Sequence, residues 1–230
     1  MRKMLSILSA AGIIFGLTAT AMAVQNPDYG YVIVRCTVTL SVDVEDDATA
    51  YFSIGNEPDR YVISAGSGFD YVSTSSITVK NDSQGALCIW NVQVSAIQRA
   101  NSNIWGNITA WDSEPYWTLG NSPDVEQAVL YAVFCSSRPS TGEFESNDIL
   151  SVGSDKTWKH KSSASDVDLD PTSTTSGFQY PQNTRTSGYS NKVTAPGDRR
   201  ALWFRFLPPT AVRDDNFRRF IIQITAALAG

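Results

Sequence analysis

The histidine and serine residues of this chain do not form a recognisable catalytic motif. His160 is the only histidine, and it stands in the polar stretch Trp158-Lys159-His160-Lys161 with no nucleophile motif beside it. No serine occurs in the G-x-S-x-G pattern that presents a nucleophile on a sharp turn. The sequence therefore does not predict catalysis by a serine or cysteine nucleophile and a histidine base.

Pairs of carboxylates offer a second route to chemistry, the acid–base cleavage of glycosides. An acidic chain contains many such pairs, and the sequence does not fix the distance between their oxygens. They therefore do not identify an enzyme, and we predict a protein that is not an enzyme and holds no cofactor. The carboxylates in question are Asp112, Glu114, Glu143 and Glu145.

Alternating aspartates in Asp166-Val-Asp168-Leu-Asp170 resemble the start of a calcium-binding loop. Hard oxygen ligands at every second position can converge on one ion. The sixth position is Pro171 where such loops have glycine, and the twelfth is Gly177 where they have glutamate. This mismatch predicts a solvated acidic loop, and we expect no metal site.

Aromatic rings crowd one irregular region of the chain, Asn101–Pro123, among amides and carboxylates. Flat rings beside polar side chains could stack on a glycan, so this is the candidate ligand-binding site. The structural alternative is that the rings cap one end of the fold, because aromatic side chains bury large areas. The rings are Trp105, Trp111, Tyr116 and Trp117.

Trp203 is a further candidate contact residue. It alternates with apolar neighbours and shares the outward face of its strand with Arg205. A tryptophan beside an arginine is typical of interface anchors. A loop that covers the ring would explain its position equally well.

These side chains must be positioned by strands, and the longest predicted strand is Tyr31–Val44. Its even positions are apolar from Val32 to Val44, and its odd positions after Ile33 are polar, the period of two that a strand requires. A strand of this length could complete its own sheet with one part and pair with a neighbouring subunit through the other. We assign that assembly role to Tyr31, Val32, Val34 and Val38. The alternative is a bend that carries the strand between two sheets of one subunit.

Other segments repeat this pattern, and turn residues separate them. They predict an all-β fold, an antiparallel β-sandwich of immunoglobulin-like or jelly-roll-like type with long irregular loops. One domain over residues 24–230 is expected, with a Ser/Thr-rich excursion at about 162–196. The clearest segments are Ser75–Lys80, Leu87–Ile97, Ala128–Cys135, Arg199–Leu207 and Phe217–Ala227, and weaker ones are Ala50–Ile54, Arg60–Ser64, Asp148–Val152 and Lys156–Lys161.

The first 23 residues predict a secretory signal peptide. Two basic residues, Arg2 and Lys3, precede an apolar run to about Thr18 and the small-residue site Ala21-Met22-Ala23. The run is shorter than the roughly 20 residues that span a bilayer. We expect a secreted protein, extracellular or at the cell surface, with no membrane span after cleavage. Its net charge of −5 argues against nucleic acid as a partner.

Three cysteines, Cys36, Cys88 and Cys135, predict one disulfide and one buried thiol in an oxidising compartment. Cys88 opens one apolar run and Cys135 closes another, so antiparallel neighbouring strands would bring the two together. We favour the Cys88–Cys135 disulfide. A Cys36–Cys88 bridge between two sheets is the alternative.

Two stretches resemble secreted bacterial immunoglobulin-like sandwiches, namely SSITVKNDSQGALCIWNVQV with the later W-T-L-G-x-S-P of Trp117–Pro123, and R-x-L-W-F-R-F-x-x-P-T of Arg200–Thr210. A looser likeness is to camelysin-type subunits of biofilm fibres, which implies polymerisation by a lent N-terminal strand. We therefore expect a non-enzymatic structural or adhesive subunit that binds itself or other cell-surface components. The alternative function is a carbohydrate-binding module with glycans as the partner.

Overall fold

A computed structural model provides the structure, and the compact unit that contains the strands spans Val38–Gly230. The residues described are 34–35, 38–45, 49–52, 63–66, 68, 70–154, 156–158, 169–172, 178, 180 and 193–229.

The described chain is built from strands, which confirms the all-β prediction. Its helical elements are short 3-10 turns, Trp105–Asn107, Thr141–Glu143 and Ser146–Asp148. Within these residues, no helix has the length and apolar character that a membrane crossing requires. The strands are β1 (Val42–Val44), β2 (Tyr71–Val72), β3 (Ile77–Asn81), β4 (Cys88–Ala100), β5 (Trp111–Ser113), β6 (Thr118–Leu119), β7 (Gln127–Phe134), β8 (Ile149–Leu150), β9 (Lys156–Trp158), β10 (Arg199–Leu207) and β11 (Arg218–Leu228).

Two sheets form the architecture, as expected for a β-sandwich. The larger sheet has the strand order β1-β3-β10-β7-β6, with β2 also paired to β10 and β8 to β7. The smaller sheet has the order β11-β4-β5, with β9 also paired to β4. All pairs are antiparallel except β6 and β7, which run parallel.

The core lies between the two sheets and is made by alternate residues of the long strands. Period-two alternation places every second side chain on the inner face, which is why these strands have a defined register. Trp90 of the smaller sheet meets Phe134 of the larger one with ring centroids 5.3 Å apart. The fully buried or nearly buried inner residues include Val92, Val94, Leu130, Ala132, Leu202, Phe204 and Phe206.

A β-bulge changes the inner row of β4 near its end. The sequence pattern predicts Ala96 on the inner face after Val94, whereas the structure buries Ile97 there. The register between β4 and β11 shifts between Ile221 and Ile222, and the extra residue reverses the alternation. A bulge depends on the partner strand, so a single strand's sequence does not reveal it.

The predicted long strand Tyr31–Val44 is wrong over its described first part, because the strand begins only at Val42. Its partner β3 ends at Asn81, and beyond it Thr39 forms only an isolated bridge with Gln84. Tyr31 and Val32 lie outside the described residues. The apolar row therefore continues without burial, with exposed fractions of 78% at Val34, 43% at Val38 and 41% at Leu40.

The Ser/Thr-rich excursion contains buried anchors. Leu169 and Val193 are fully buried, and Leu169 belongs to the main core. The backbone carbonyls of Leu169 and Phe178 accept hydrogen bonds from the N–H groups of Phe134 and Ser136, at 2.9 and 2.8 Å. These parts of the excursion therefore cover the end of β7.

The predicted Cys88–Cys135 disulfide is wrong, because both residues are free, buried thiols. The prediction assumed that their strands are antiparallel neighbours. Instead β4, which begins at Cys88, belongs to the smaller sheet, and Cys135 follows β7 of the larger sheet. Cys36, the partner in the alternative bridge, lies outside the described residues.

We predict that Cys88 and Cys135 resist alkylation in the native protein at pH 8 and react once it is denatured. Both thiols are inaccessible, and burial raises the pKa of Cys135 to about 11, which leaves roughly one thousandth of it as thiolate. Mass spectrometry of iodoacetamide-treated protein, with and without urea, measures this. A disulfide-linked peptide pair containing both cysteines would contradict the structure.

Candidate functional site

The aromatic region begins as the connection between β4 and β5. The two strands pair from Gln98↔Ser113 to Ala100↔Trp111, so residues 101–110 form the loop between them. Asn101 closes this loop. Its side-chain amide donates to Thr109 Oγ1 at 2.7 Å, and its Oδ1 accepts the Thr109 N–H at 3.1 Å.

The tip of this loop is attached to the segment that leads into β11. Trp105 packs edge-on against Phe217 with ring centroids 5.3 Å apart. The Asn103 amide donates to the Asp215 carboxylate at 3.0 Å. The segment 213–219 thus contacts the aromatic loop at its far end.

A buried ion pair between Glu114 and Arg218 lies at the centre of the region. Arg218 Nε donates to Glu114 Oε2 at 2.8 Å, and the two side chains are 3% and 0% exposed. The other carboxylate oxygen, Oε1, accepts the backbone N–H groups of Tyr116 and Trp117 at 2.8 and 3.1 Å. Glu114 therefore joins the turn that carries two of the candidate rings to the start of β11.

Asp214 completes the charge balance of this pair. Arg218 Nη1 donates to Asp214 Oδ1 at 2.6 Å, and Arg99 Nε donates to Asp214 Oδ2 at 3.2 Å. Burial alone would raise the pKa of Asp214, but the hydrogen bonds from Arg218, from the Asn216 N–H and from Arg99 outweigh it and lower the pKa. The carboxylate therefore stays ionised between two cations.

Three arginines of the segment 213–219 lie over candidate rings. The guanidinium carbons are 4.4 Å from the Tyr116 ring centroid for Arg213, 4.8 Å from that of Trp117 for Arg218, and 4.6 Å from that of Trp111 for Arg219. Each contact has the geometry of a cation–π interaction.

All four candidate ligand-binding residues thus contact this one segment: Trp105 through Phe217, and the other three through arginines. The geometry matches the capping alternative, in which the rings are part of the fold. Sequence reasoning missed the arginines, although the Arg218-Arg219 pair was a visible signal. We call the set Trp105, Trp111, Glu114, Tyr116, Trp117, Arg213, Asp214, Phe217, Arg218 and Arg219 the aromatic clamp.

We predict that Arg218→Met destabilises the protein by roughly 3–5 kcal/mol, because it leaves the Glu114 carboxylate buried without its cation. Arg219→Met is the matched control. Arg219 is exposed and contacts the Trp111 ring and the Gln98 side chain, so the loss should stay within about 1 kcal/mol. Urea denaturation curves give both values. Equal losses in the two variants would show that the Glu114–Arg218 pair does not organise the clamp.

Trp203 lies outside the clamp, on the outer face of the larger sheet. It packs in a second apolar cluster with Val133, Cys135 and Phe144, and Phe178 of the excursion adds to this cluster. Its indole N–H donates to the Cys135 carbonyl at 3.0 Å. Trp203 is only partly exposed, which agrees with the covering-loop explanation, and its role at an interface stays a prediction.

A group of acidic residues surrounds the start of the excursion. Asp148 is fully buried, with its Oδ2 accepting the Glu145 N–H and its Oδ1 the Leu169 N–H, both at 2.7 Å. Burial, together with the charges of Glu145 and Asp170, raises the pKa of Asp148 to about 8 against the opposing effect of the two hydrogen bonds. The buried carboxyl therefore carries a proton at neutral pH.

No group of three or more histidine, cysteine or acidic side chains in the described residues is arranged to hold a metal ion. Asp170 of the alternating aspartate motif is nearly buried, while Asp166 and Asp168 lie outside the described residues. His160 also lies outside them.

We predict that Asp148 makes the protein less stable as the pH rises from about 4 to about 8. The unfolded carboxyl loses its proton near pH 3.9, whereas the folded one keeps it to about pH 8. Stability from this group is therefore greatest below about pH 4. Asparagine mimics the protonated carboxyl. In Asp148→Asn, the loss of stability between about pH 4 and about pH 8 should therefore be smaller by at least about 1 kcal/mol. Urea denaturation across this pH range tests it, with exposed Asp112→Asn as the control that should keep the wild-type slope.

Comparisons with known proteins give no match for this chain: no family model, no curated protein and no solved structure is similar enough to be significant.

Proposed function

We propose that this protein is a non-enzymatic structural or adhesive subunit that acts outside the cell and assembles through its N-terminal strand. One observation carries the proposal. The apolar row of the predicted first strand is only partly used by the compact unit, and its earlier members Val34, Val38 and Leu40 are exposed.

Such a row is costly to leave in water, since burying one aliphatic side chain contributes roughly 1.5–3 kcal/mol. Val42 and Val44 of the same row pack against the core. The pattern that fixes their register continues unchanged toward the N-terminus. A neighbouring subunit with an open sheet edge would bury the exposed members and pair their backbone groups.

The carboxylates and arginines of the clamp support a structural interpretation. Glu114 belongs to the candidate carboxylate pairs, but its side chain is fully buried and its two oxygens bind Arg218 and two backbone N–H groups. A general acid or base needs contact with a substrate, whereas this carboxylate is enclosed. The geometry thus favours a role in holding the loops.

The glycan-binding alternative would use the faces of Trp105, Trp111, Tyr116 and Trp117. Arg219 and Arg218 already lie over Trp111 and Trp117, and the polar partners of the region bind one another. Stacking a sugar on the ring faces that Arg218 and Arg219 cover would require these arginines to leave. The alternative therefore ranks below assembly.

We predict that deleting Val24–Val34 abolishes filaments and leaves a folded, soluble protein, because the compact unit begins at Val38. Electron microscopy and light scattering measure assembly, and circular dichroism with thermal melting measures the fold. A point variant, Val34→Ser, should weaken assembly, and Arg35→Ser on the opposite face of the predicted strand is its matched control.

The intact protein provides the decisive comparison. If it stays monomeric at high concentration and forms no filaments, the assembly proposal is wrong. If the deletion variant assembles as well as the intact protein, the N-terminal strand is not the element that joins subunits.

A further inference from the structure

Strand β11 has one paired edge and one open edge. It pairs with β4 over its whole length, from Arg218↔Arg99 to Leu228↔Cys88. Among the described residues, no strand is hydrogen-bonded to its other side, although β1 of the larger sheet approaches it. A row of backbone N–H and C=O groups is therefore presented at the margin of the smaller sheet.

The inner side chains of β11 show that the core is incomplete at this margin. Phe220, Ile222 and Ile224 pack against the main core but remain only partly buried. Their neighbours on β4, such as Val92 and Val94, are fully buried. The difference is expected for a strand that lacks a neighbour on one side.

The open edge also lacks the usual protection against pairing. Natural edge strands are commonly short, charged or interrupted by proline. The sequence from Phe220 to Ala229, FIIQITAALA, contains no charged residue and no proline. The other strands that pair with a single neighbour have only two or three residues, against eleven in β11; they are β1, β2, β5, β6, β8 and β9.

We propose that β11 pairs antiparallel with β11 of a second copy around a two-fold axis at Gln223, which joins two four-stranded sheets into one of eight strands. The inference rests on the proposed self-association and names the partner of a specific surface. A two-fold axis makes the interface self-complementary, and identical open edges close each other at once.

The register of the proposed β11–β11 pair follows from the length of the strand. Gln223 is the midpoint of Arg218–Leu228, so only this register pairs all eleven residues. On the outer face, Gln223 meets its own copy and Arg219 meets Ala227. On the inner face, Phe220 meets Ala226, a large side chain against a small one. No two like charges are opposite each other.

The test uses charge at the symmetric position. Gln223 is exposed, so Gln223→Lys and Gln223→Glu should leave the fold intact while each places like charges opposite each other in the pair. We expect each variant alone to weaken dimerisation on the order of tenfold at low salt, and an equimolar mixture to restore it through lysine–glutamate pairs. Sedimentation velocity measures dimer formation, and thermal melting checks the fold.

Gln93→Lys is the matched control. Gln93 is the cross-strand partner of Gln223 but lies on β4, inside the sheet, so the variant should dimerise normally. As a second readout, Gln223→Cys should form a disulfide-linked dimer under mild oxidation, whereas Gln93→Cys should not.

The outcomes separate this inference from the proposed function. Association that is unchanged in Gln223→Lys and Gln223→Glu would overturn the β11 pairing and leave the N-terminal assembly in place. Weakening of both variants without rescue in the mixture would also overturn it, because the edge would then bind a different segment. Dimers that require β11 but never extend into filaments would support the pairing and contradict the proposed function.

Discussion

The single layer of apolar side chains between the two sheets is the constraint on which the rest of the structure depends. Trp90 and Phe134 meet across it at 5.3 Å, and the inner rows of β4, β7 and β10 fill it on both sides. Because side chains alternate between the inner and outer faces, except at the bulge in β4, a slip of one residue would turn the inner row of a strand away from this layer. The outer faces and the loops are arranged around this fixed layer.

The aromatic clamp shows how a charged residue can organise apolar loops. Arg218 pairs with Glu114 and Asp214 and also lies over the Trp117 ring. Removing two charges from water costs much of what their attraction returns, so such a pair contributes more to a unique arrangement than to net stability. In this protein the pair fixes where the turn at residues 116–117 meets the start of β11. The rings that could have stacked on a ligand thereby become part of the scaffold.

Among the described residues, two features of the compact unit remain exposed or unpaired. The apolar row that ends in β1 is exposed at Val38 and Leu40, and β11 presents a long edge that carries no charged residue from Phe220 onward. Each feature offers backbone groups for pairing with another copy: the row supplies a strand for a neighbour's sheet, and β11 supplies an edge for its own counterpart. These surfaces are the strongest support for an assembling subunit.

The sequence by itself determined the strands and their faces. The alternation in Arg199–Leu207 and in Phe217–Ala227 identifies two strands almost to the residue and assigns their inner rows, because period two is a local property of the backbone. Tertiary structure alone decided which strands are neighbours. It separated Cys88 from Cys135, delayed the start of the first strand to the residue opposite the end of β3, and placed arginines over the candidate rings. Those outcomes depend on contacts between residues far apart in the chain, and no local pattern encodes them.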